Sequence, residues 1–221
     1  KRFVNEDSFS RINKNDRGLT PSAIDAHILK DTDPNYRVLN LSTNTFNESR
    51  TSYHHKSIGG YSPVKLRRYQ DIIDYHISRQ ITPNVLDMLN TRYIIFNTEQ
   101  GPRVQRQPSA MGNAWFVDEV QYVEDANEEI EAIHGFNPLQ TAVVDKKFET
   151  LVKAVPSDST ATIELVSYEP NCLKYEVNSD KGGTVVFSEI YYPGWQSSID
   201  GEEAPHGRAN YILRAMNVPA G

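Results

Sequence analysis

FSEIYYPGWQSSIDG, residues 187–201, decides how the second half of the chain is read. The run TVVFSEIYY is rich in β-branched and aromatic side chains, the composition of a strand. Pro193-Gly194 interrupts it, because proline fixes φ and glycine readily takes positive φ, so the chain bends there. A second strand, WQSSID, closes on Asp200-Gly201, a hairpin pair. Under a period of two, Trp195, Ser197 and Ile199 share a face, which sends Trp195 toward a core beside Ile199. Tyr192 is the aromatic expected to stay exposed. Tyr191, Tyr192 and Trp195 also have the makings of a sugar-stacking platform, and the pattern leaves both readings open.

Working outward, TIELVSY leads through Glu169-Pro170-Asn171 to CLKYEV, where Leu173, Tyr175 and Val177 alternate with polar neighbours. YILRAMNV follows after the Asp200-Gly201 turn. About five strands separated by turn residues predict a small antiparallel β-sandwich over residues 154–221, with room for one further strand. Val155-Pro156-Ser157-Asp158-Ser159 marks its boundary with a mixed α/β domain, residues 1–153. The expected class is α+β.

Before that boundary, RVLNL (37–41), RYIIFN (92–97) and TAVVD (141–145) read as buried strands, and WFVDEVQYV (115–123) as a longer one. Thr20-Pro21, Ser62-Pro63 and Thr82-Pro83 each offer a hydroxyl at the N-cap and proline at the first helical position. The helix after Ser62 repeats Leu66, Tyr69, Ile73 and His76 or Ile77 on one face, with Arg67, Arg68, Gln70, Asp71 and Asp74 opposite. Asn127 to His134 makes a weaker helix with Glu128 and Glu129 on its surface.

The net charge of −6 argues against a nucleic-acid binder, and Lys65, Arg67 and Arg68 form only a short basic cluster. Cys172 is the sole cysteine, which excludes an intramolecular disulfide and a CxxC site; on a strand it reads as a small buried hydrophobe. No apolar run approaches the roughly 20 residues of a membrane helix, and no signal peptide is visible. The chain opens at Lys1 without Met and ends in Val-Pro-Ala-Gly, as an excised piece of a longer protein would.

Chemistry-bearing patterns are sparse. His54-His55 on an extended chain would point to opposite faces, and no HxH, HxxxH or HExxH spacing occurs, so no metal ligand is assigned. Asp25 and His27 are two apart on a predicted helix and do not face each other. No nucleophile–base pattern is present, so neither a catalytic residue nor a cofactor is assigned. Gly59-Gly60-Tyr61-Ser62-Pro63 leads into a helix N-terminus, where backbone amides favour anions, and Lys65, Arg67 and Arg68 stand nearby. The plain alternative is a tight turn before a capped helix. The candidate ligand-binding residues are therefore Tyr61, Lys65, Arg67, Arg68 and Tyr192.

RVLNLSTNTFNESRTSYHHKSIGGYSPVKLRRYQDIID, NVLDMLNTRYIIFN, NAWFVDEV and FSEIYYPGWQSSIDG occur in an order that resembles the C-terminal extracytoplasmic region of the YfhO-type bacterial membrane proteins, particularly Bacteroidetes forms. The resemblance runs over residues 1 to 217, and GGYSPVKLRRYQ and YYPGW-to-DG are its most specific blocks. It implies a multi-pass membrane parent related to the GT-C glycosyltransferases, which use polyprenyl-phosphate sugars and keep their catalytic acid on an early extracytoplasmic loop. This chain would then be a non-catalytic accessory domain on the periplasmic face of the cytoplasmic membrane. Its partners would be the membrane-embedded remainder of the same protein and a glycan or anionic cell-envelope polymer, without nucleic acid. The family pattern continues past residue 221 with a further strand. The alternative is a soluble periplasmic carbohydrate-binding protein that stacks sugars on Tyr61, Tyr192 and Trp195.

Overall fold

The computed structural model describes residues 20–221, so residues 1–19 of the expected α/β domain lie outside it. The protein is α+β. It opens with α1 (Ala23–Ile28), β1 (Arg37–Asn40), α2 (Arg50–His54) and α3 (Arg67–Ile72), and α3 continues as a π-helical stretch over Ile73–Ser78. Then come α4 (Pro83–Met88), β2 (Thr91–Thr98), β3 (Gly101–Arg106), β4 (Ala114–Val117), β5 (Glu119–Val123) and α5 (Ala126–Ala132). The remainder is almost all strand: β6 (Thr141–Asp145), β7 (Thr162–Glu169), β8 (Cys172–Asn178) and β9 (Gly183–Ile190). Last are β10 (Ser198–Ile199), β11 (Glu202–Glu203), β12 (Gly207–Ala209) and β13 (Leu213–Val218). Among the described residues, no helix is long and apolar enough to cross a membrane.

An antiparallel sheet of order β12-β13-β9-β4 organises the molecule. Alternation gives it two apolar faces. Trp115, Val117, Val186, Leu213 and Ala215 point into the main core, where they meet Ile72, Ile73 and Ile77 of the α3 rod, Leu86 of α4, Ile130 of α5 and Val143 of β6. Val185, Met216 and Val218 point the other way, with Phe116 and Phe187, toward Ile163 of β7 and Val177 of β8. Each fully buried side chain of this size stabilises by about 1.5–3 kcal/mol, so the larger first cluster dominates. Elsewhere β1 and β2 pair in parallel and β3 is antiparallel to β2. A separate parallel pair joins β5 to β6. The β7–β8 hairpin has no fully buried residue.

The stretch at 187–201 folds as two turns. Gly194 has φ 97° and the Trp195 amide faces the Tyr192 carbonyl at 3.5 Å, so Pro193-Gly194 forms the centre of a type II turn. Asp200 (φ 53°) and Gly201 (φ 90°) close the two-residue strands β10 and β11, as a type I′ hairpin requires.

Several expectations need correction. WFVDEVQYV is two strands, because the amides of Asp118 and Glu119 both turn to the Gln140 carbonyl, at 3.0 and 2.9 Å. That bend sends β4 to β9 and leaves β5 for β6. Sheet and main core therefore draw on residues from both sides of position 153. The polar break is itself ordered: Asp158 accepts the hydroxyls of Thr160 and Ser179, which hold its carboxyl far below the usual range. This carboxylate ties the entry of β7 to the turn after β8. Cys172 is exposed at the hairpin tip, where no core exists to receive it.

Helix starts shift for local reasons. Ser22, not Thr20, caps α1: its hydroxyl accepts the Asp25 amide at 3.2 Å and the Asp25 carboxylate takes the Ser22 amide at 2.8 Å, a capping box. The Ser62 hydroxyl is occupied in a turn with the Val64 amide at 3.3 Å, and α3 waits until Arg67. Pro83 does open α4, but the Thr82 hydroxyl donates to His76 Nδ1 at 3.2 Å instead of capping. The other imidazole nitrogen donates to the Ile130 carbonyl at 3.0 Å, so the π-helical stretch anchors a buried histidine between α4 and α5.

Candidate functional site

The β7–β8 hairpin covers only part of the sheet's second face. It is pinned by Tyr168, whose ring lies 3.1 Å from Lys56 Nζ, and by Tyr175, edge-on to Phe187 at 4.9 Å. Lys56 also donates to the Pro34 carbonyl at 2.7 Å and Asn35 Oδ1 at 3.0 Å, and burial brings its pKa down to about 8. Between the hairpin, β9, β13 and the 193–200 segment runs a groove of about 1280 Å³. Pockets for drug-sized ligands span roughly 300–1,000 Å³, so this groove has room for one or for a larger ligand.

Trp195 lines the groove half-buried rather than joining a core. The correction has a simple cause: β10 is only Ser198–Ile199, so strand alternation never reaches back to Trp195. Ile199 packs against the smaller core and Trp195 does not. Arg214, on β13, lays its guanidinium 4.2 Å over the indole while Nε donates to the Ile190 carbonyl at 3.0 Å. Such a planar cation stacks well on an aromatic face. Tyr192 is exposed on the rim. Tyr175 also lines the groove, while its hydroxyl is buried beneath the surface and has no hydrogen-bond partner among the described residues.

His206 completes one wall. The Ser197 hydroxyl gives its proton to the Ala204 carbonyl at 2.5 Å, so His206 Nδ1 must be the donor to Ser197 Oγ at 2.8 Å. Burial, then the neighbouring Arg214 charge, lowers the imidazole pKa and favours the neutral ring. Formal charge nearly cancels in the groove, where Glu176, Glu189 and Asp200 face Lys174 and Arg214. Stacking surface, balanced charge and a neutral imidazole suit a neutral, hydroxyl-rich ligand better than a polyanion.

The expected anion site is dispersed. Arg67 pairs with Asp71 at 2.9 Å. Arg68 donates to Glu129 Oε2 at 2.8 Å and to the Tyr211 carbonyl at 3.0 Å, lying over the Tyr211 ring. Glu129, read from sequence as a surface residue, is fully buried. It also accepts Arg208 Nη2 at 3.0 Å and the Tyr211 amide at 3.1 Å, and Arg208 reaches Asp145 at 3.1 Å. Arg68 thus serves a structural ion network linking α3, α5, β6 and β12. Tyr61 and Lys65 line a separate depression of about 340 Å³ with Ser52 and Tyr69. Of the five sequence candidates, Tyr192 alone lines the larger groove, and Arg67 and Arg68 line neither concavity.

His54 and His55 end α2 rather than lying on a strand. His55 Nε2 meets Asp25 Oδ1 at 3.0 Å in a buried pair. Burial pushes the Asp25 carboxyl up, but the Ser22 hydroxyl and amide and His55 outweigh it and leave the pKa below its ordinary value. Among the described residues, no group of three His, Cys, Asp or Glu side chains is placed to hold a metal ion.

Sequence reasoning missed Arg214, Tyr175 and His206. Arg214 carried a signal, a lone charge between Leu213 and Ala215 in a strand whose other polar residue is Asn217. No protein-family model, curated protein or solved structure matches the chain.

Proposed function

We propose that this chain is an extracytoplasmic, non-catalytic accessory domain of a multi-pass membrane protein resembling the polyprenyl-phosphate-sugar-dependent glycosyltransferases, and that it holds a glycan acceptor in the groove beside Trp195. The observation that carries the holding role is the groove itself, with Trp195 backed by Arg214 and Tyr192 at the rim. Aromatic faces stack on the apolar faces of sugar rings, and a neutral His206 supplies a directed hydrogen bond. The link to a membrane parent is supported by the ordered blocks from RVLNL to SSIDG.

Intrinsic fluorescence tests the first part. Trp115 is buried with its Nε1 bonded to the Pro138 carbonyl at 2.8 Å, so a ligand-dependent change reports Trp195. Titration with neutral oligosaccharides should quench or shift the emission, and W195F should remove both the signal and the heat of binding seen by calorimetry. Absence of any response across a glycan panel would sink the holding role. A full-length gene without hydrophobic spans would refute the membrane parent and leave a soluble glycan-binding protein.

A further inference from the structure

The loop from Tyr61 to Leu66 is the most exposed apolar feature of the described residues. Val64 is 87% exposed and Tyr61 65%, and Leu66 also faces outward. Single exposed hydrophobes are ordinary, but three in one short loop are not. Tyr53, on the adjacent α2, adds a further exposed ring. Cations interleave with these tips: Lys65 lies between Val64 and Leu66, and the Arg67 side chain is 88% exposed.

The loop is presented on a rigid base. A Cβ on Gly59 would fall 2.1 Å from the Thr45 carbonyl oxygen, so only glycine permits this approach. The Gly60 amide donates to that carbonyl at 2.7 Å and the Tyr61 amide to the Glu48 carbonyl at 2.9 Å. The Ser62–Val64 turn shapes the tip and α3 begins at Arg67. Of the nearby carboxylates, Asp71 is held by Arg67 and the Tyr211 hydroxyl, and Glu48 accepts the Thr51 amide at 3.0 Å through one oxygen while the other is buried.

We propose that this loop docks on a phospholipid bilayer bearing anionic headgroups, with Val64, Tyr61 and Leu66 entering the interface while Lys65 and Arg67 contact lipid phosphates. Three points favour a bilayer. The patch is one short loop, far from the roughly 800 Å² per partner of a standard protein interface. Tyrosine with aliphatic tips and flanking Lys and Arg is the composition that settles at the headgroup boundary, where long basic side chains reach outward to phosphate. Residues 61–68 contain no acid in a chain of net charge −6, so the local field attracts anions where the whole molecule repels them. Arg68, tied to Glu129, is left out of the contact.

Co-sedimentation of the whole chain with vesicles tests the proposal. Binding should be several-fold greater to phosphatidylcholine–phosphatidylglycerol vesicles than to pure phosphatidylcholine, and should fall as salt rises. V64D/L66D should cut binding by ~10-fold or more, because it removes the inserted groups. K65E/R67E should abolish the preference for phosphatidylglycerol, at ~5-fold per cation. Val64, Leu66 and Arg67 are exposed, and Lys65 is half-buried with its ammonium 5.4 Å from the Phe46 ring, so circular dichroism melts should change little and separate lost docking from lost folding. A Tyr61→Trp variant should show a blue shift with anionic vesicles. No sedimentation with either vesicle, or binding unaltered by V64D/L66D, would overturn the proposal; the first result would turn attention to a protein partner.

Discussion

The two faces of the β12-β13-β9-β4 sheet are made by the same strands and have opposite fates. On one, Trp115 is 7% exposed, its indole N–H is satisfied by Pro138, and helices from three parts of the chain close over it. On the other, a two-stranded hairpin without a buried residue arches over Phe187 and Met216 and leaves a groove where Trp195 stays half-buried. Burial alone does not tell the two tryptophans apart in sequence. What differs is the length of ordered strand beneath each one, and hence whether alternation can aim the ring into a core.

The largest expected effect sets this contrast. W115A should destabilise by ~3–5 kcal/mol in chemical denaturation, the range for a buried aromatic, and equal losses for W115A and W195A would break the comparison. Next, R68A should cost about 1–3 kcal/mol, because it removes a donor from the fully buried Glu129 carboxylate. W195A should cost only about 1 kcal/mol while removing groove binding. Acid should then sharpen the role of His76. Burial lowers its folded pKa, so the unfolded chain takes up the proton first and stability falls as pH drops below the ordinary histidine value of about 6.5, levelling off only below the folded pKa. H76Q should reduce that slope without flattening it, since His206 is shifted in the same direction. Smallest of all, R67A should change stability by no more than about 0.5 kcal/mol, as exposed ion pairs do.

Local chemistry was legible wherever the deciding neighbours are close in sequence. TAVVD matched its strand end to end, the Asp200-Gly201 turn has its two positive φ angles, and the α+β class followed from the succession of periods. What could not be read depends on partners far along the chain. Glu129 looked like a solvated helix residue because Arg208 lies 79 positions away. Thr82 looked like a cap because His76, which takes its hydroxyl, sits in a π-helical stretch that a 3.6-residue period does not anticipate. The groove was hidden for the same reason, since Arg214, Tyr175 and Trp195 come from three separate segments.

Strand β4 has a consequence for how the protein is made. Its partner β9 begins 66 residues after β4 ends, so a ribosome must deliver most of the second half before β4 can be paired. Until then β4 is an unpaired strand edge, although α3, α4 and α5, which close over its Trp115 and Val117, have already been made. Pairing across such a separation is slow relative to local helix formation, and an unpaired strand edge of this kind is where nascent chains associate wrongly. Synthesis of this chain thus includes an interval in which the strand that carries its best-buried tryptophan has an open edge.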